Sequence, residues 1–244
     1  MIVTNPDIPD CAVILPVYNP AESWHSNVTE QYNHFLQLAG SEKILLVIVN
    51  DGSVGAAVKD GIIHLQQQFP DLLFLENEMN KGKGNALRKA VTAVTAKSYL
   101  LTDIDFPYRA ESMVAVYKQV SSTAVDIAAG SRNKVYYNKI GTGRQLLSKM
   151  LRFGIRSLFS ISIDDTQCGL KGFSEKAKPV FLNCVTNRYL YDLEFIVRAH
   201  KEKELRIAAV PVQLREGIEL RKMALHIILQ EIKSFFNILK IRYS

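Results

Sequence analysis

The stretch SYLLTDIDFPY, residues 98–108, leads an apolar run directly into two aspartates one residue apart. Apolar residues on successive rather than alternate positions suit a strand covered on both faces, as in a parallel sheet sandwiched by helices. Where the backbone stays extended, Asp103 and Asp105 project to the same side, and their charges repel unless a cation lies between them. A hard divalent cation, Mg2+ or Mn2+, takes carboxylate and phosphate oxygens together and fits such a pair. Two solvated turn aspartates are the plainer reading. On the first reading, the stretch predicts a central parallel strand whose carboxyl end faces a ligand.

Runs of the same kind recur outward from it. CAVILP (11–16), ILLVIVN (44–50), LLFLE (72–76) and DIAAG (126–130) read as further buried strands, and helical patterns fill the gaps at 54–68, 83–96 and 109–120. Strand, helix, strand at roughly 25 to 35 residues per unit is a βαβ series, which predicts an α/β fold with a mostly parallel central sheet flanked by helices. Ligands in such sheets bind beyond the carboxyl ends of the strands. The candidate polar residues fall there: Tyr18 and Asn19 after the first strand, Asp51 after the second, Asp103 and Asp105 after the fourth.

At 244 residues, 48% hydrophobic and 22% charged, the chain can bury a sizeable core. One domain over 1–222 is expected, followed by an amphipathic helical tail over 223–244. A net charge of +6 is compatible with phosphate-bearing small molecules, an anionic membrane surface or nucleic acid. The basic residues scatter rather than forming a block, and no nucleic-acid partner is expected. Cys11, Cys168 and Cys184 are too few and too far apart for a disulfide framework or a zinc ribbon, and the N-terminus has no signal pattern, which favours the reducing cytoplasm. No uncharged apolar stretch reaches the ~20 residues of a spanning helix, so membrane contact is expected to be peripheral.

Two loops accompany the aspartate pair. VNDGS (49–53) ends a strand with a carboxylate, a glycine and a hydroxyl; taken alone it also reads as a turn that caps the next helix. NKGKGNALRKA (80–90) places two glycines and two lysines directly before a helix, so backbone, cations and helix N-terminus can meet a diphosphate. It is not a Walker motif, because no Ser or Thr follows Lys83, and a flexible basic turn is the other reading.

In this order, VILPVYN (13–19), VNDGS, NKGKGNALR, TDIDF, GSR (130–132), DTQCGLKGF (165–173) and YLYDLEF (189–195) resemble the inverting glycosyltransferases of family 2, which have a GT-A nucleotide-sugar fold. The later groups, with VPV (210–212), are most similar to the dolichyl- and polyprenyl-phosphate glucose or mannose synthases, and DTQCGLK is the most specific of them. The resemblance covers most of the chain. It implies transfer of a hexose, with inversion, from a donor of the UDP-glucose or GDP-mannose type to a polyprenyl phosphate, with Mg2+ or Mn2+ as cofactor.

On the matched positions the resemblance implies that Pro16, Tyr18, Asn19 and Asp51 line the nucleoside pocket, with Asp51 accepting hydrogen bonds from the base. Lys81, Lys83 and Gly84 would approach the diphosphate, and Arg132 would join the nucleotide-sugar site. Asp103 and Asp105 would hold the cation that bridges the phosphates and stabilises the leaving group. Asp192 and Glu194, again on alternate positions, would lie by the sugar or the acceptor; carboxylates at the exposed start of a helix are the other reading. Gln167 and Lys171 would face the acceptor. A phosphate acceptor is already ionised and needs no strong base, whereas a hydroxyl acceptor would call on Asp165 or Glu194. Relatives usually carry acidic residues directly after the first Asn; here Pro20 and Ala21 stand there and the carboxylate is delayed to Glu22, a departure that bears on nucleotide selectivity.

The segment RQLLSKMLRFGIRSLFSISI (144–163) sets Arg144, Lys149, Arg152 and Arg156 among Leu, Met, Ile and Phe, a pattern suited to a lipid headgroup surface or to an ordinary helix over the sheet. The tail repeats the mixture with Lys233, Lys240 and Arg242. A lipid-phosphate acceptor would require docking at the cytoplasmic face of a membrane, or an anchor borrowed from a membrane-bound partner or a second copy. Three rivals remain: transfer to a soluble or glycan hydroxyl, a nucleotidyltransferase, and a non-catalytic nucleotide- or membrane-binding module. A nucleotidyltransferase would normally show its glycine-rich signature where this chain has PVYNPAES.

Overall fold

Residues 11–15 are all fully buried, as a strand covered on both faces requires. They open β1 (Cys11–Val17), which with β2 (Ile44–Asp51), β3 (Leu73–Asn77), β4 (Ser98–Leu101), β5 (Ile127–Arg132), β6 (Lys171–Ser174) and β7 (Ile207–Val212) forms one seven-stranded sheet in the order β3-β2-β1-β4-β6-β5-β7. The computed structural model describes residues 8–132, 165–218 and 225–243. β6 runs antiparallel to both its neighbours, and every other strand pair is parallel. The sheet is therefore mostly parallel, as the unbroken apolar runs predict.

Helices α1 (Trp24–Ala39), α2 (Ala57–Gln68), α3 (Lys83–Ala93), α4 (Ala110–Ser121), α5 (Lys178–Leu182), α6 (Tyr191–Lys201) and α7 (Leu225–Tyr243) accompany the strands. Successive side chains of a strand point to opposite faces, so each strand serves two cores. Ile14, Val47, Val49 and Leu101 meet α3 and α6 through Leu87, Val91, Leu193 and Ile196. Val13, Leu15, Ile48 and Leu100 meet α1 and α4 through Val28, Phe35, Met113 and Tyr117. α7 joins the first core: its Ile238 is fully buried, with Phe235 and Leu239 packed alongside. None of the described helices is long and apolar enough to cross a membrane. The basic segment carrying Arg144, Lys149, Arg152 and Arg156 lies outside the described residues.

The chain leaves β1 for β2 on one side and returns to β4 on the other, so the strand order reverses at β1 and opens a crevice beyond the carboxyl ends of β1 and β4. Because β6 is reversed, it is its amino end, Lys171, that reaches the same edge, opposite Leu101 and Ala129. β4 stops at Leu101, and the backbone N–H of Phe106 closes a turn on the carbonyl of Asp103 at 2.9 Å, with Phe106 at φ 46°. Asp103 and Asp105 therefore sit on a loop, where the alternation of an extended strand no longer dictates their directions.

Candidate active site

The loops after β1, β2 and β3 are tied together by short polar side chains. Asn19, with a left-handed φ of 43°, accepts the backbone N–H of Val54 on its Oδ1, while its own N–H donates to Ser53 Oγ at 2.9 Å. Asp51 is buried, and both its oxygens are engaged: Oδ1 accepts from Asn77 Nδ2 and from the backbone N–H of Lys81, each at 2.9 Å, and Oδ2 accepts from Gly82 N–H at 2.8 Å. The carboxylate expected to meet a nucleobase thus anchors the 80–82 loop. Tyr18 is exposed beside it, Pro16 is half-buried in β1, and Lys81 points outward. Gly84 does not open toward a ligand either, since a Cβ there would lie 2.6 Å from the Thr186 carbonyl and 2.7 Å from Tyr191 Cβ. Gly84 is needed for close backbone packing.

From that loop Lys83 reaches across the crevice, and its ammonium lies 2.5 Å from Asp103 Oδ1 and 5.8 Å from the centre of the Tyr191 ring. Burial works against its charge, but Asp103, then Asp192 and Asp105, outweigh that and hold its pKa above the ordinary lysine value. The cation that the aspartate pair demands is thus supplied in part by the chain itself. The Asp103 side chain is 38% exposed and Asp105 is exposed. Their loop is clamped from behind: the Asp105 carbonyl accepts from Asn27 Nδ2 at 3.1 Å and from Arg215 at 2.8 Å, and Arg215 Nε donates to the Phe106 carbonyl at 2.6 Å. Gly169 closes the other side, where a Cβ would stand 2.7 Å from Asp103 Oδ2. Two accessible carboxylates on a rigid turn suit Mg2+ or Mn2+, which take oxygen ligands. Among the described residues no group of three or more His, Cys, Asp or Glu converges. The remaining ligands of such an ion would have to be substrate or water oxygens.

The second acidic pair is arranged differently from the expectation. Asp192 and Glu194 lie in the first turn of α6, two residues apart, which on a helix turns them to different sides. Asp192 faces the crevice and pairs at 2.5 Å with Lys171, whose ammonium also donates to the Cys168 carbonyl at 2.6 Å. Lys171 is fully buried and thus cannot offer its charge to an acceptor. Burial pushes the Asp192 carboxyl above the usual aspartate value, opposed by Lys171 and Lys83. Glu194 points away from the crevice and accepts the backbone N–H groups of Val185 and Thr186 and the Nε of Arg198. Burial opposes its charge, but those hydrogen bonds outweigh it and keep its pKa low. It anchors residues 185–186, and the helical spacing is what turns it to a different side from Asp192.

Arg132 and Asp165 are joined by two 2.7 Å contacts, from Nε to Oδ2 and from a terminal nitrogen to Oδ1, with the Arg132 N–H also donating to Oδ2 at 3.0 Å. Burial of Asp165 is overcome by Arg132, which lowers the carboxyl pKa, so Asp165 orients the guanidinium and is a weak base. Gln167 is half-buried at the same edge, next to Cys168, whose thiol contacts the Tyr108 hydroxyl at 3.2 Å. The sheet order thus brings Lys83, Asp103, Asp105, Lys171 and Asp192 to one crevice, sets Asp51 and Gly84 beneath it as supports, and turns Glu194 away. Asn27, Asn77 and Arg215 carry no local sequence mark, because they act on loops far away in the chain; Gly169 lies within DTQCGLKGF, but only the fold shows its closeness to Asp103.

The profile of the family described as Glycosyl transferase family 2 matches residues 12–178. The chain belongs to glycosyl transferase family 2. Among relatives in the family, a dolichyl-phosphate beta-glucosyltransferase of Trichomonas vaginalis is 28% identical over 217 residues, 84% of this chain and 65% of the relative. That of Saccharomyces cerevisiae is 26% identical over 235 residues, 88% of this chain and 70% of the relative, and that of Drosophila melanogaster is 30% identical over 221 residues, 82% and 67%. The chain thus spans about two thirds of the length of these relatives. Among solved structures, glucosyl-3-phosphoglycerate synthase of Mycobacterium tuberculosis in complex with UDP superposes with a TM-score of 0.69 at 14% identity, covering 96% of this chain and 80% of that one. A mannosyltransferase of Pyrobaculum calidifontis in complex with GDP-Man and Mn2+ gives 0.58 at 18% identity, covering 88% and 59%. These likenesses establish the GT-A fold.

Proposed function

We propose that this chain transfers glucose, with inversion, from a nucleotide-diphosphate sugar of the UDP-glucose type to a dolichyl or other polyprenyl phosphate. The observation that carries the reading is the similarity, over 82–88% of the chain, to dolichyl-phosphate beta-glucosyltransferases. In the reaction an ionised acceptor oxygen attacks the anomeric carbon, a new C–O bond forms on the opposite face, and the bond to the donor diphosphate breaks. No proton has to be removed from the acceptor, which agrees with a crevice in which Asp103 is paired with Lys83 and Asp192 with Lys171.

The nucleoside would lie by Pro16, Tyr18 and Asn19, over the loop that Asp51 holds. Lys83 would turn its ammonium toward the diphosphate, whose charge competes with that of Asp103, and Lys81 would approach from the outer side. Arg132, fixed by Asp165, would serve the phosphates of donor or acceptor. Asp103 and Asp105 would hold Mg2+ or Mn2+, which would neutralise charge developing on the leaving nucleoside diphosphate. Gln167 would line the acceptor side, and Arg144, Lys149, Arg152 and Arg156 would meet the lipid headgroups at the cytoplasmic face. Incubation with labelled UDP-glucose or GDP-mannose, polyprenyl phosphate and Mg2+ tests this. Label from UDP-glucose entering the lipid phase, and stopping when EDTA is added, is the expected result. Transfer only to a soluble hydroxyl acceptor would remove the lipid-phosphate assignment.

A further inference from the structure

Residues 185–190 form a strap between the donor loop and the C-terminal helix, held from three sides. On the first side a Cβ at Gly82 would lie 2.4 Å from the Asn187 carbonyl, Asn85 N–H donates to that carbonyl at 3.2 Å, and Arg88 donates to the Thr186 carbonyl at 2.7 Å. The Cβ-less faces of Gly82 and Gly84 therefore rest directly on strap backbone. From the second side Glu194 takes the N–H groups of Val185 and Thr186. From the third, Glu231 of α7 accepts the N–H of Leu190, the residue before α6, at 2.8 Å.

Glu231 is only 8% exposed, and its other oxygen has no hydrogen-bond partner among the described residues. Around it α7 and the strap are separated by a groove of about 350 Å3, lined by Asn187, Arg188, Ser234 and Asn237 among others. The Glu231 bond therefore spans a groove beside the core that Leu190 and Ile238 share. Its charge is met by the strap itself, through the backbone N–H groups of Leu190 and Tyr189 and the nearby Arg188, and a buried carboxylate is costly unless what it holds must be held. The residues just beyond it are Tyr191, whose Cβ would lie 2.7 Å from a Cβ at Gly84, and Asp192, the partner of Lys171.

We propose that Glu231 is a positioning residue of the donor site: through the strap 185–190 it holds the 82–84 turn, and with it Lys83, so that α7 sets the geometry of the donor loop. The placement of a donor at that loop rests on the function proposed above; the mechanical link from α7 to the loop does not.

Hydrogen–deuterium exchange of the whole chain without nucleotide reads the link directly. In Glu231→Ala, exchange should rise about tenfold in 185–190 and also in 81–85, the scale of one lost hydrogen bond, while α4 stays as in the wild type. Glu231→Gln, whose amide oxygen still accepts from Leu190, should stay within about twofold of the wild type. Glu231→Asp, which keeps the charge but withdraws the oxygen, should behave like the alanine variant and replaces it if that variant does not fold. Unchanged exchange at 81–85, or an equal rise in α4, would overturn the proposal. Calorimetry with UDP and GDP in Mg2+ adds the functional half: Glu231→Ala should weaken UDP binding about tenfold and Glu231→Gln should not. A wild-type protein that binds neither nucleotide would sink the donor reading, with the exchange at 81–85 still deciding the role of Glu231.

Discussion

Two acid-x-acid pairs in this chain have the same spacing and opposite fates. Asp103 and Asp105 follow a strand on a turn clamped by Asn27 and Arg215, and their side chains remain accessible. Asp192 and Glu194 open a helix, are almost wholly buried, and are separately committed to Lys171 and to the 185–186 backbone. A carboxylate that can change partners must keep access to solvent and be held through its backbone. One fixed by its own charge partners supports the site and leaves the exchange of ligands to others. Lys83 connects the accessible pair to Asp192 but not to Glu194, since the charges of Asp103, Asp192 and Asp105 all act on it.

The largest effect should come from breaking the buried pair. Lys171→Met leaves Asp192 buried without its direct ion-pair partner, with only the more distant Lys83 opposing its desolvation, which should cost about 3–5 kcal/mol in urea unfolding, and adding Asp192→Leu should recover much of it. If Lys171→Met slowed turnover while leaving stability intact, Asp192 would belong with the exchangeable carboxylates. Next comes the accessible pair. Asp105→Asn should reduce transfer by ~10²-fold or more, with the melting temperature within about 2 °C of wild type because the side chain is exposed. Wild-type turnover surviving in EDTA, with this variant near normal, would end the metal assignment for that turn.

The smallest effect is a matter of pH within α6. The pKa of Glu194 is lowered in the folded state, so its contribution to stability is present above the ordinary glutamate value of 4.5 and is lost as the pH falls through the folded value. Asp192, with its pKa raised, does not share that trend. Glu194→Gln should therefore flatten the acid limb of unfolding free energy, below about pH 5, by at most about 1.4 kcal/mol per pH unit, the value of one proton. An unaltered acid limb in this variant would mean that the two carboxylates of α6 do not differ as their partners suggest.

The sequence by itself determined the parallel α/β architecture, the five strands from β1 to β5 to within about two residues, and the loops that make the crevice. These are local facts: an uninterrupted apolar run must be covered on both faces, and polar residues collect where strands end. It also proposed Lys83, Asp103, Asp105, Arg132 and Asp192 for the site. Only the tertiary structure decided what each residue does there. Asp51 became an anchor because Asn77, Lys81 and Gly82 converge on it, Lys171 became the buried partner of Asp192 because β6 runs against its neighbours, and Glu194 turned away because its segment is a helix. Burial and charge pairing depend on residues that are far apart along the chain, and a carboxylate keeps or loses its freedom according to what the fold brings within about 3 Å of it.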